Sequence, residues 1–275
     1  MSLQRLPSPA LRPFVARVWA SEDPGGARYD TPWREHALPS GAMHLVIRLS
    51  DHPLRIADAG SGQGAQPVAS ALVGGMRSRF YLRELQAPSC SVGAVLRPGA
   101  AECLFGGVTA DELAERHTPL DALWGADAHH LRERLLALRS PQDRLAVFEA
   151  ALAARLPHVH GLHPAVAGAL ARFQGGVSVA AAVKDSGFSH RRFLQLFRQG
   201  VGLAPKTYLR VRRFQRVLPV LRSDPALSLA ALAADLGYSD QSHFNREFLA
   251  FSGVTPLAYR ERMGADTNHL PMGGG

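Results

Sequence analysis

Ser178-Val-Ala-Ala-Ala-Val-Lys-Asp-Ser-Gly187-Phe188-Ser189 and Ser228-Leu-Ala-Ala-Leu-Ala-Ala-Asp-Leu-Gly237-Tyr238-Ser239 are two copies of one pattern, and the repetition decides the fold of the C-terminal part of the chain. The first copy continues through Phe193 and Phe197 to Gly202, Pro205 and Tyr208, the second through Phe244 and Phe248 to Gly253, Pro256 and Tyr259. The offset is 50 positions up to the Gly-aromatic-Ser triplet and 51 from the first Phe onward, so one residue has been inserted at the head of the second helix of the second copy.

In each copy a short Ala-rich helix opens at a Ser cap, stops at a Gly able to take positive φ, and is followed by a Ser that can cap a new helix. That is the helix-turn-helix pattern, whose second helix can lie in a DNA major groove. The Phe pairs are spaced i, i+4 and so face inward, which turns the polar residues between them outward. Between the copies, Lys206 to Arg222 reads as one helix carrying Arg210, Arg212, Arg213 and Arg216 alongside Val211, Phe214 and Val217. At about 1.5 Å per residue it spans roughly 25 Å. Pro219 predicts a kink or an early end. A rod of this size suits two recognition helices about one DNA turn, roughly 34 Å, apart.

Charge points the same way. Of the whole-chain balance of +8, residues 165 to 262 carry +8 (14 Lys+Arg, 6 Asp+Glu), residues 1 to 164 carry +1 and the remaining tail −1. A basic excess confined to a twin helix-turn-helix favours phosphate contact over a merely solvated face.

The C-terminal 100 or so residues resemble the DNA-binding domain of the AraC/XylS family of bacterial transcription regulators. The resemblance rests on Gly187-Phe188-Ser189, the Phe197/Gly202/Pro205/Tyr208 frame, and Gly237-Tyr238-Ser239-Asp240-Gln241-Ser242-His243-Phe244-Asn245-Arg246-Glu247-Phe248 followed by Gly253-Val-Thr-Pro256-Leu-Ala-Tyr259. It implies base-reading candidates His190, Arg191, Arg192 and Gln195 in the first recognition helix and Gln241, Ser242, His243, Asn245 and Arg246 in the second. Their chemistry agrees, since Arg suits guanine and Asn or Gln adenine. Arg198, Arg212 and Arg213 are further DNA-contact candidates; Arg191, Arg192 and Arg198 fit phosphate contact alone as the alternative, while Ser189, Ser239 and Asp240 fit helix caps and His243, beside Phe244, fits packing as well as readout.

The N-terminal part alternates short apolar runs, His44–Leu49, Pro67–Val73, Arg79–Arg83 and Ser91–Leu96, with Gly/Pro/Ser/Asp stretches, which predicts an antiparallel sheet or barrel. Asp58–Gln66 reads as a hairpin loop, and its glycines do not follow a strand and open a helix as a phosphate loop requires. After Pro98-Gly99 helices are expected over 101–104, 111–115, 119–123, 129–138 and 141–156. Leu131, Leu135, Leu138, Leu145, Phe148 and Leu152 in the last two make either core or a dimer seam. This half is similar to an N-terminal domain of uncharacterised function that often precedes AraC-type modules, through Leu38-Pro39-Ser40-Gly41-Ala-Met-His44, Gly74-Gly75-Met-Arg77, Val95-Leu-Arg97-Pro98-Gly99 and Pro119-Leu120-Asp121. Ser40 replaces the acidic residue many relatives carry there. By analogy with sugar-sensing members the domain is expected to be a cupin-like β-barrel that binds an effector or dimerises, with Trp33, His44, Arg77 and Arg97 as candidate effector residues.

Enzyme chemistry finds little footing. His44 and His52 lack the HxH partner of a metal cupin, His158-Val-His160-Gly-Leu-His163 falls in a linker, Cys90 and Cys103 are separated, and no Gly-x-Ser-x-Gly elbow precedes a helix. Two thiols without CxxC spacing fit a reducing cytosol, and no signal peptide or membrane-length apolar run is present.

The expected architecture is α+β. A β-barrel with helices (1–156, sensing or dimerisation) is followed by a linker (157–164), two helix-turn-helix subdomains on a shared helix (165–262) and a disordered tail (263–275). The expected function is sequence-specific binding of double-stranded operator DNA by a cytoplasmic, non-enzymatic regulator. No cofactor or metal is expected. RNA polymerase, a small-molecule effector and a second copy are the candidate further partners. The alternatives are a non-specific architectural DNA binder, which would show a steep salt slope and little sequence preference, and an enzyme domain fused to a DNA-binding module.

Overall fold

A computed structural model of the protein describes residues 2–23, 33–60, 64–156, 161–224, 226–264 and 266–272. The chain opens with β1 (Ser2–Arg5), a 3-10 turn (Pro9–Leu11), β2 (Val15–Asp23), β3 (Trp33–Ala37), β4 (Met43–Arg48), β5 (Arg55–Asp58), β6 (Gln66–Pro67), β7 (Ala71–Gly74), β8 (Tyr81–Leu85) and β9 (Ser89–Leu96). Helices α1 (Ala100–Leu104) and α2 (Ala110–Leu113), strand β10 (His117–Pro119), and helices α3 (Asp121–Trp124), α4 (Ala126–Leu136) and α5 (Pro141–Ala153) complete this half. Among the described residues all strand pairs are antiparallel, in two sheets ordered β1-β2-β9-β4-β7-β10 and β11-β3-β8-β5-β6, where β11 (His269–Pro271) comes from the far end of the chain.

Strand alternation sorts the first sheet into two faces. Leu45, Ile47, Val73, Val92, Ala94 and Leu96 are buried with Leu131, Leu135, Leu145, Phe148 and Leu152 of α4 and α5. The two helices thus cover the sheet, and the apolar stripes that fitted either core or a dimer seam are spent inside this chain. The opposite face looks towards the second sheet. Tyr81 of β8 meets His117 of β10 edge-on at 4.7 Å across that space.

The C-terminal half holds α6 (Pro164–Gln174), α7 (Val179–Ser186), α8 (His190–Val201), α9 (Pro205–Ser223), α10 (Leu229–Asp235), α11 (Gln241–Ser252) and α12 (Pro256–Arg262). The duplication is visible in the packing. Phe193, Phe197, Phe244 and Phe248 are wholly buried, and the equivalent pairs Phe197–Tyr208 and Phe248–Tyr259 meet edge-on at 5.7 and 5.5 Å. Pro205 and Pro256 both start a helix, where a missing N–H costs nothing. The connecting helix α9 has 19 residues and continues past Pro219, so the expected early end does not occur.

Two expectations need correction. Residues 263–275 were expected to be disordered, yet His269–Pro271 form β11 against β3, because Leu270 finds a buried place and the Leu38 amide donates to the Asn268 carbonyl at 2.8 Å. The second correction concerns the separation of the halves. One continuous set of buried apolar residues runs from Leu11 to Leu270, and the Gly99 amide donates to the Gly200 carbonyl at 2.8 Å. Of the expected linker, 157–160 lie outside the described residues. Within it, Leu162 packs so tightly between the halves that a Cβ at Gly99 or Gly200 would lie 3.0 and 2.6 Å from its atoms.

Candidate nucleic-acid interface

The two second helices of the pairs, α8 and α11, present their N-terminal turns to solvent. Ser189 caps α8, its Oγ accepting from the Arg192 amide at 3.3 Å. In the second copy the cap is Asp240, whose Oδ1 accepts from the His243 amide at 2.6 Å. The inserted residue has moved the cap one place beyond the Gly-Tyr-Ser triplet. Hydrogen bonds to this amide and to Ser239 hold the Asp240 carboxyl below its ordinary value. The turn glycines Gly187 and Gly237 take φ of +73° and +74°, the left-handed geometry that lets one helix end and the next begin at an angle.

Of the sequence-derived candidates, His190, Arg191, Arg192, Gln195 and Arg198 are all exposed on α8, as are Gln241, Ser242 and Arg246 on α11. Arg192 Nη1 donates to Gln195 Oε1 at 3.0 Å, aligning two candidate readers one turn apart. Asn245 is half-buried with Oδ1 enclosed and unpartnered. His243 is half-buried, edge-on to the Tyr238 ring at 5.5 Å and 3.1 Å from Ser239 Oγ. The packed alternative for this histidine therefore describes its position in the free protein.

Arg213 requires correction as a DNA-contact candidate. Its Nη2 donates to Glu247 Oε1 at 2.8 Å, its Nη1 to the Gly237 carbonyl at 3.0 Å, and its guanidinium lies over the Tyr238 ring at 3.9 Å. Arg210 donates to the other Glu247 oxygen at 2.7 Å. Burial alone would raise the Glu247 carboxyl, but the hydrogen bonds and charges of the two arginines outweigh it and hold the carboxyl below its ordinary value. These groups stitch α9 to α11 inside the second pair. Arg212 is exposed, but its side chain lies against the N-terminal half, where a Cβ at Gly41 would be 3.7 Å from its Cδ.

Both recognition helices are held from behind. At the C-terminal end of α8, Gly202 (φ +98°) is so close to the other half that a Cβ would lie 3.1 Å from the Ala110 carbonyl. At the equivalent place on α11, the Ser252 carbonyl accepts a 2.7 Å hydrogen bond at His36 Nδ1, and a Cβ on Gly253 would lie 2.5 Å from the Phe80 ring. Phe80 in turn stacks on His36 at 4.4 Å. The N-terminal half thus touches equivalent glycines of both copies and leaves the opposite, capped ends free.

The candidate effector residues divide. Trp33, His44 and Arg77 border the space between the sheets, whereas Arg97 is exposed at the end of β9 and donates to the Arg12 carbonyl at 3.0 Å, a strand-end brace. Arg77 donates to Asp58 Oδ1 at 2.7 Å and lies 2.9 Å from His117 Nδ1. Sequence inspection missed Arg48, Arg83, His117, Glu35 and His269, which border the same space. The available signal was alternation: His44 and Arg48 share one face of β4, and Tyr81 and Arg83 one face of β8. Burial lowers His44 to about 4 and, with the Arg77 charge, His117 to about 3, so both are neutral at pH 7. Of the linker histidines, His158 and His160 lie outside the described residues and His163 caps α6. Among the described residues no group of metal-ligating side chains assembles, and no helix is long and apolar enough to cross a membrane.

Comparison with known proteins bears on both halves. Residues 182–262 match a family described as a helix-turn-helix domain, and residues 3–119 match a domain of unknown function, DUF6597. The F1 operon positive regulatory protein of Yersinia pestis is 41% identical over 85 residues, 30% of this chain and 28% of that protein. The HTH-type transcriptional activator RhaR of Cronobacter sakazakii is 35% identical over 77 residues, 28% of this chain and 27% of that protein. The chain therefore spans under a third of the length of these relatives. Among solved structures, ToxT from Vibrio cholerae aligns with 94% of this chain and 98% of its own at 11% identity and a TM-score of 0.44, too loose a likeness to bear on function. The repeated capped pairs and the matches together identify a chain with an AraC-type helix-turn-helix domain at its C-terminal end, preceded by a DUF6597 domain.

Proposed function

We propose that this protein is a sequence-specific DNA-binding transcription regulator whose N-terminal half tunes how its two recognition helices meet an operator. The observation that carries the reading is the pair of capped helices, α8 and α11, whose exposed first two turns bear Arg191, Arg192 and Gln195 on one and Gln241, Ser242 and Arg246 on the other. Arg198 adds a backbone-contacting charge, and Arg212 does so at the margin nearest the N-terminal half. Asn245 and His243 join the readout after a side-chain rotation on binding. The shared helix α9, about 28 Å long at 1.5 Å per residue, suits two readers in successive major grooves. Trp33, His44 and Arg77 are proposed to face an effector; Arg97 is not. RNA polymerase and a second copy of the chain remain the proposed protein partners, in the cytoplasm, and no catalytic step is assigned.

The test is selection of bound sequences from a random DNA pool with the full chain, alongside Arg191→Ala and Arg246→Ala. The expected result is a two-part motif with centres about ten base pairs apart, each variant relaxing one half. Binding without an enriched motif, fading uniformly with salt, would overturn the reading in favour of architectural binding.

A further inference from the structure

The facing surfaces of the two sheets do not form a dry core. His44, Val46 and Val95 on one sheet and Tyr81 on the other stand well inside their strands, yet each keeps accessible surface. His44 and Tyr81 are nevertheless strongly desolvated. Side chains that stand inside their strands and still keep accessible surface leave the space between the sheets incompletely filled. Its apolar wall continues into a small cluster of Leu54, Ile56 and Leu85 packed with Trp33 and Tyr81.

Three arginines border this space with donors unspent. Arg48 is 4% exposed and Arg77 9%, and the Nε–H of each is enclosed without a partner, as is that of Arg83. Arg83 is less satisfied than its contacts suggest. Its Nη1 lies 2.8 Å from His269 Nδ1, but that same nitrogen lies 2.6 Å from Glu35 Oε1, and one ring nitrogen cannot both accept from Arg83 and donate to Glu35. Buried donors left unpaired cost about 1–3 kcal/mol each, and more when charged, so three around one space call for an explanation. The charge count supplies one. The three guanidinium groups face two carboxylates, Glu35 and Asp58, the further charges that reach His44, Arg17 and Asp266, offset each other, and His44 and His117 are neutral, which leaves one positive charge uncompensated. Arg48 feels it: burial and the Arg83 charge lower it to about 10.

We infer that the space between the sheets binds a small molecule carrying a single carboxylate on an apolar body, with Arg48, Arg77 and Arg83 taking the charge. A planar monoanion accepts Arg N–H groups in pairs and balances the count, whereas a phosphate dianion would overshoot it. That such a ligand is the effector rests on the regulatory reading above. The route to DNA is short. Glu35 faces the site from β3, and its neighbour His36 points the other way to hold the Ser252 carbonyl at the end of α11. Arg83 faces the site from β8, and Phe80, just before that strand, carries Gly253. His269 of β11, the strand that follows the DNA-binding helices, closes the same ion cluster. A carboxylate drawing Arg83 away from Glu35 and His269 therefore acts on the support of the second recognition helix.

The test is isothermal titration of the full chain with acetate, hexanoate and phenylacetate, each against its neutral amide. At least one carboxylate is expected to bind tenfold or more tightly than its amide, and Arg48→Gln to abolish that preference while the amide is unaffected. Equal affinity of acid and amide throughout, no binding by any of the three acids, or a folded Arg48→Gln protein that keeps the preference would each overturn the site. Should Arg48→Gln fail to fold, the acid-against-amide comparison on the wild type decides alone. The DNA pool selection without ligand separates the two claims: a two-part motif with no carboxylate preference sinks the anion site and leaves the regulator standing, and the reverse result does the opposite.

Discussion

Glu247 and the two buried histidines are the residues at which a single side chain sets a measurable property. Glu247, 2% exposed at its side chain, holds Arg210 and Arg213 on α9. Glu247→Ala leaves a half-buried Arg213 without its ion partner and is expected to cost about 3 kcal/mol in urea unfolding. Because its folded pKa lies below the ordinary glutamate value of 4.5, the carboxylate contributes stability above that pH and loses it as pH falls further, so the wild-type advantage over the variant should shrink in acid. The histidines act at milder pH. Their folded values, about 4 for His44 and about 3 for His117, lie below the unfolded 6.5, so the unfolded chain takes up protons first and stability is lost as pH drops from 6.5 towards those values. Each contributes a slope of at most about 1.4 kcal/mol per pH unit. His117→Asn should flatten the acid limb of thermal stability between pH 6.5 and 4.5; an unchanged limb would mean His117 is not held neutral.

At the scale of elements, the recognition helices depend on caps at one end and on docking at the other. Asp240→Ala removes the acceptor for the His243 amide and is expected to destabilise the protein by about 1 kcal/mol, with Ser189→Ala similar for α8. At the docked end the sequence pattern already contained the glycines, Gly202 and Gly253, but as helix terminators. Their second role, as points where Ala110 and Phe80 press on the chain, needed neighbours more than 90 residues away. Gly253→Ala should therefore cost more than Gly187→Ala in thermal unfolding, although both positions have positive φ, since only at Gly253 would the methyl meet a ring. The strands tell the same story. β4, β7, β8 and β9 were legible from apolar runs, whereas β2, the longest strand among the described residues (nine residues), was missed because Val15-Ala-Arg-Val-Trp-Ala-Ser-Glu-Asp mixes Ala, Arg and acids into its alternation.

For the whole molecule, the consequence is that the N-terminal and C-terminal halves share one core and are tied by the last strand. Removal of residues 265–275 deletes Leu270 from its buried place, the Tyr259 hydroxyl's bond to the Thr267 carbonyl at 2.8 Å, and the contact of Gln215 with Asn268 at 2.7 Å. Burial of one leucine alone contributes about 2 kcal/mol, so truncation should lower Tm by roughly 5 °C or more. A tail that only frayed would leave Tm unchanged. The sequence by itself determined the twin helix-turn-helix, its caps and its outward basic residues, because these follow from local spacing, turn chemistry and charge. It also indicated an antiparallel sheet domain ahead of them. The tertiary structure decided what depends on distant partners: that Arg213 is spent on Glu247, that Arg97 stands apart from Arg77, that His269 returns to β3, and that Arg48, Arg77 and Arg83 converge. Convergence of strands far apart in sequence is set by sheet register and by the burial it permits, and no local pattern along the chain records it.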